Sequence, residues 1–206
     1  MIRFLVLVLF TGSAAAQEVT VDPPEDGSVS RAEGLAAWER VHDVVSHPRC
    51  ANCHVGADNI PMWSGPSYGE TRPHGMFISG GESRIGAEFL PCSACHVTLD
   101  AGQSRTDGPH RPPQVALDWR LAPVDFQWFG RSSAEICAQM ADPDRTGGRD
   151  WVALAEHLRD DAGHGGFVKW GFDPGGGRAP APYGLQAHID DVLTWGAAGT
   201  PCETGG

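Results

Sequence analysis

Positive charge is scarce in this chain. Its 206 residues carry 15 Lys and Arg against 26 Asp and Glu, a formal charge of −11 at pH 7. Such acidity disfavours nucleic acid and anionic membranes as partners and favours docking to a basic patch on another protein, with a salt-sensitive on-rate. Long apolar runs are missing too. The run at residues 4–10 is far short of the ~20 residues of a membrane-spanning helix. Periodic patterning is thin: residues 59–91 and 98–129 are rich in Gly, Pro and Ser and follow neither a helical nor a strand period. The chain therefore has little regular core of its own, and something other than repeating secondary structure must complete it.

What the N-terminus does contain is a leader pattern. Arg3 gives a positive start, residues 4–10 an apolar stretch, and Ala14-Ala15-Ala16 a small-residue cleavage site before Gln17. Residues 1–16 are read as a signal peptide that delivers the chain to the periplasm; an uncleaved anchor is disfavoured by length. Loss of Arg3 makes the mature charge −12.

The six cysteines are not scattered. Cys50-Ala51-Asn52-Cys53-His54 and Cys92-Ser93-Ala94-Cys95-His96 are two copies of C-x-x-C-H, the attachment sequence of c-type haem: each thiol adds to a porphyrin vinyl group, and the His supplies the proximal iron ligand. The expected cofactors are two covalently bound haem c groups. Two rivals use the same thiols. A four-cysteine zinc site would need a spacer of ~15–20 residues, and Cys53 and Cys92 are farther apart. A thioredoxin-like pair needs a strand–helix setting that these Gly/Pro-rich flanks do not supply. Neither requires the His that follows both pairs. Cys137 and Cys202 remain, and an oxidising compartment favours their pairing over two buried free thiols. Closure of that loop stabilises by roughly 4 kcal/mol in the chain-entropy model.

Along the chain, residues 17–29 are polar and acidic and are expected to be a flexible lead-in. Ser30 with Glu33 opens a helix expected to run to about His47, with Leu35, Trp38, Val41 and Val45 as its buried stripe and Pro48 as its stop. Ser132 with Glu135 caps a short helix through Met140. A third helix follows from residue 149 or 150 to 160, with Trp151, Leu154, Ala155 and Leu158 on one side. Residues 171–182 form a Gly/Pro turn region, and the last helix covers 185–195. The expected fold is mainly α with long irregular loops: one cytochrome c-like domain, residues 30–206, wrapped around two haems.

The second axial ligands must come from the remaining His and Met residues. Between the motifs, His74 and Met76 compete, and their spacing allows only one to bind; bis-His ligation lowers the potential and His/Met raises it. His74 is favoured. For the other haem, His157 is favoured because it lies one turn after Leu154; the rival reading is a His packed at a helix edge. His47 is the runner-up. His110, His164 and His188 read as loop or surface residues, and Met140 as core filler. Arg178, within Pro174-Gly175-Gly176-Gly177-Arg178-Ala179-Pro180, is a candidate clamp for a haem propionate, with a solvent-facing Arg as the alternative.

Several runs carry a wider resemblance: His47 to His54, His74-Gly75-Met76, Trp119-Arg120-Leu121-Ala122-Pro123, Ile136-Cys137, Gly147-Gly148-Arg149, His157, and Trp170-Gly171-Phe172-Asp173-Pro174. Together they resemble a family of small periplasmic dihaem cytochromes often labelled cytochrome subunits of isoquinoline 1-oxidoreductase. Phe126 departs from that pattern, where Met is usual. The resemblance implies single-electron transfer with a periplasmic or membrane redox protein, and a molybdenum hydroxylase as donor. A haem redox enzyme of peroxidase or thiosulfate-oxidising type, with one open or labile iron, is the alternative; a sensor module would need an output domain. The motif reading requires two haem additions by intact mass on a chain beginning at Gln17. One addition, or haem extracted by acid–acetone, would sink it.

Overall fold

Ser30 and Glu33 close the expected reciprocal capping box, and α1 (Arg31–Val45) follows at once. It is the first element of a mainly helical chain, seen in a computed structural model that describes residues 18–65, 69–97, 112–114 and 116–203. The leader at 1–16 and His110 lie outside the described residues. After α1 come α2 (Pro48–Ala51), a two-stranded antiparallel ribbon of β1 (Met62–Trp63) and β2 (Arg72–Pro73), then α3 (Ser133–Met140), α4 (Trp151–Gly163), α5 (Phe167–Phe172) and α6 (Leu185–Ala197). Short 3-10 turns cover Gly75–Phe77, Cys92–Ala94 and Val124–Phe126.

The core lies where α1 and α4 pack on α6. Trp38 of α1 meets Trp195 of α6 with ring centroids 5.2 Å apart. Each indole N–H is satisfied, Trp38 Nε1 by Ser133 Oγ at 2.8 Å and Trp195 Nε1 by the Pro201 carbonyl at 3.1 Å. Ile136, Leu154, Ile189 and Val192 fill the space around them. The expected stripe of α1 is rotated slightly: Leu35 is only half-buried, and Gly34 and Ala37 take the innermost positions. Gly34 is there because α1 passes so close to Ala198 and Pro201 that a Cβ would collide with them.

Four further differences have physical reasons. The 17–29 lead-in is held rather than loose over its described part: Thr20 N donates to Gln186 Oε1 at 2.8 Å, Gly27 N donates to the Ala197 carbonyl at 2.7 Å, and Val19 and Val21 pack on the core. Pro48 does not stop α1, which ends at Val45 with Ser46 as its cap; Pro48 is the first residue of α2, where its missing N–H costs nothing. α4 and α6 run on to Gly163 and Ala197, past the expected 160 and 195. Finally α5 lies partly within the expected turn region, with Trp170 buried.

Cys137 and Cys202 form the expected disulfide, Cα to Cα 5.7 Å, across 65 residues. It pins the C-terminal segment to α3. Cys202→Ser should lower the unfolding free energy by about 2–4 kcal/mol in a urea titration; two alkylatable thiols in the native unreduced protein would contradict the bridge.

Candidate functional site

Both C-x-x-C-H segments fold into the same single helical turn. Cys53 N and His54 N donate to the Cys50 carbonyl at 3.2 and 3.3 Å; Cys95 N and His96 N donate to the Cys92 carbonyl at 3.2 and 2.9 Å. On such a turn, residues three apart share a face, so both thiols of a pair point the same way. The first turn is fixed by His47, the N-cap of α2, whose Nδ1 accepts from Arg49 N at 3.2 Å. That bond engages the runner-up ligand in capping.

The two histidines are held alike. His54 Nδ1 bonds the Phe126 carbonyl at 2.8 Å, and its ring lies flat on Trp128, 3.5 Å between centroids and 1° between planes. His96 Nδ1 bonds the Pro113 carbonyl at 3.0 Å, with Trp119 stacked 4.2 Å away at 26°. A carbonyl only accepts, so Nδ1 carries the proton and Nε2 presents a lone pair. Carbonyl partners of this kind orient metal-ligating histidines. Trp128 is itself locked, Nε1 donating to Gln139 Oε1 at 2.8 Å.

A third imidazole faces the second motif. His74 follows β2, its N–H donating to the Pro61 carbonyl at 2.8 Å, and its ring lies 6.2 Å from that of His96 at 58°. Its Nδ1 bonds the Gly75 carbonyl at 2.9 Å, again leaving Nε2 as acceptor. A metal held by two opposed imidazoles at about 2 Å separates their ring centroids by roughly 6–6.5 Å, and the separation of this pair is of that size. Met76 is 78% exposed with a left-handed backbone, φ 62°.

The first motif opens on a cavity of 520 Å³, within the usual range for ligand pockets. Cys50, Cys53 and His54 line it, as do Leu154, His157 and Leu158 of α4. His157 lines the cavity but is exposed rather than turned into the core, and its charge is felt at His54. Arg178 is buried, in a loop made tight by three consecutive left-handed glycines, Gly175 to Gly177.

Burial sets the protonation states. It pushes the Cys50 thiol up to about 12 and Cys53 to about 11, the latter raised further by the nearby Cys92. Redox-active pairs have lowered values, and burial works in the opposite direction here. Among the described residues no three His, Cys, Asp or Glu side chains gather into a metal-holding cluster. Burial also drives His54 down to about 4 against the opposing Phe126 carbonyl, and lowers His96 and His157. Neutral imidazoles are the form a metal binds.

Sequence reasoning missed the stacking role of Trp119 and Trp128 and the two carbonyl partners, which no spacing encodes. It also misplaced His188. This residue is 3% exposed, lines the cavity 5.6 Å from the Phe172 ring, and its Nδ1 has no hydrogen-bond partner among the described residues. The helical spacing of His188, Val192 and Trp195 was the available signal. No family model, curated protein or solved structure matches the chain.

His188 titrates near 6.5 when unfolded but at about 4 in the fold, through burial. The unfolded chain therefore takes up the proton first: stability is full above about 6.5 and erodes as pH falls towards 4. At pH 5 the loss is about 2 kcal/mol. Urea unfolding at pH 7 and pH 5 should show it, and His188→Phe should remove about that share; an undiminished acid sensitivity would contradict the burial of this imidazole.

Proposed function

We propose that the chain is a periplasmic dihaem c-type cytochrome that passes single electrons between redox proteins. The observation that carries this reading is the duplication of one arrangement: a C-x-x-C-H helical turn, an imidazole fixed through Nδ1 by a carbonyl, and a tryptophan stacked on that imidazole. One such site would be a coincidence of packing; two, on unrelated stretches of loop, fit a common ligand.

Haem iron supplies the one-electron couple, and the protein supplies attachment, axial ligands and dielectric. In this reading Cys50 and Cys53 hold one group and Cys92 and Cys95 the other. His54 and His96 offer Nε2 from one side. His74 offers Nε2 opposite His96, and His157 serves the first cavity. Trp128 and Trp119 stop the proximal rings from rotating. The mostly apolar lining of the first cavity lowers the dielectric around the site. Arg178, buried and within electrostatic reach of His96, suits a propionate of the second group.

A haem enzyme needs one iron face open. A second histidine available at each site favours electron transfer instead, with a periplasmic or membrane protein as partner and a molybdenum hydroxylase as the donor the resemblance implies. The acidic surface, −11 overall, suits a basic docking face.

His74→Ala and His157→Ala should each convert one haem to a high-spin or water-bound form and leave the other low-spin in the optical spectrum. If His74→Ala stays fully low-spin while Met76→Ala does not, Met76 is the ligand; if neither histidine matters, the assignment fails.

A further inference from the structure

The unexpected helix α5 places Trp170 between the two sites. Trp170 is 8% exposed and lines the first cavity, and its ring lies 5.5 Å from Trp119, the indole stacked on His96. Two buried guanidiniums rest on this one ring. Arg49, the residue before Cys50, has its Cζ 4.4 Å from the Trp170 centroid, and its Nε donates to the Ala179 carbonyl at 2.8 Å. Arg178 has its Cζ 5.5 Å from the same centroid and donates from Nη1 to the Pro174 carbonyl at 3.4 Å. They are 8% and 7% exposed. Arg49 adjoins Cys50 and lines the first cavity, whereas Arg178 lies outside that lining and rests on the indole that packs on Trp119, so one cation stands on the side of each site.

We propose that Arg49, Trp170 and Arg178 form a cationic partition between the two haem sites, in which each guanidinium raises the reduction potential of the group nearest to it. This rests on the dihaem reading. Reduction of a ferric centre adds one negative charge, and a fixed cation nearby favours it. At an effective dielectric of about 20, one charge roughly 10 Å away changes a one-electron equilibrium by about an order of magnitude. Arginine suits this role because its charge cannot be titrated away, so the bias holds at every physiological pH. The indole face offsets part of the cost of burying each cation.

The test is a spectroelectrochemical titration of the holoprotein and its variants, with haem count checked by intact mass. Arg49→Gln should lower one of the two potentials by about tenfold in the reduction equilibrium, ~59 mV for one electron. Arg178→Gln should lower the other, and Arg49→Lys, which keeps the charge, should stay near wild type. Two intact low-spin haems with unshifted potentials would overturn the proposal. So would both Gln variants acting on the same step, or Arg49→Lys shifting as far as Arg49→Gln. If Arg49→Gln fails to retain both haems, Arg178→Gln and Arg178→Lys make the same comparison at the other site. Absence of covalent haem from the wild-type chain would instead remove the reading beneath the proposal, and the proposal with it.

Discussion

In each C-x-x-C-H turn one hydrogen bond fixes the imidazole, from Nδ1 to a distant backbone carbonyl. His54 reaches Phe126 and His96 reaches Pro113. The segment after Phe126 bonds back through its backbone: Trp128 N and Phe129 N both donate to the His54 carbonyl, at 2.8 and 3.0 Å. The motif and the loop thus hold one another, and the stacked tryptophan follows from that register. If the Nδ1 bond is lost, the ring turns, Nε2 loses its direction, and the loop loses its anchor.

The two sites share this device but not their surroundings. The first is set into the helical core, between the end of α1 and the faces of α4 and α6, with a cavity of 520 Å³. The second is built from loops: Cys95 is exposed, and Phe89 and Val97 near it are 77% and 45% exposed. Closeness is the other constraint. Cys92 lies near enough to Cys53 to perturb its thiol, and Trp170 touches both sites. In the dihaem reading, one group is buried and the other lies nearer the surface, with short separation between them.

What the residues disclosed in advance was local. Ser30 with Glu33 and Ser132 with Glu135 marked two helix starts correctly because a capping box is closed within four residues. The disulfide was legible because only Cys137 and Cys202 lay outside the motifs. His74 was named as a ligand candidate from residue type and its place between the motifs, and its ring lies 6.2 Å from that of His96. The misses were contacts across distance. The lead-in is held by Gln186, 166 residues from Thr20. α5 begins at Phe167 after Gly166, which gives no side-chain cap, so no start signal announced it. His188 was misjudged because its burial depends on how α6 packs, not on its neighbours in sequence.

We propose that each of the two sites places two imidazoles on one iron. Near-infrared magnetic circular dichroism of the oxidised protein tests it most directly, because the position of the charge-transfer band reports the axial pair. Two low-spin ferric centres, both in the bis-imidazole position, are the predicted result. A band of the His/Met type, or a high-spin centre in the untreated protein, would contradict the account.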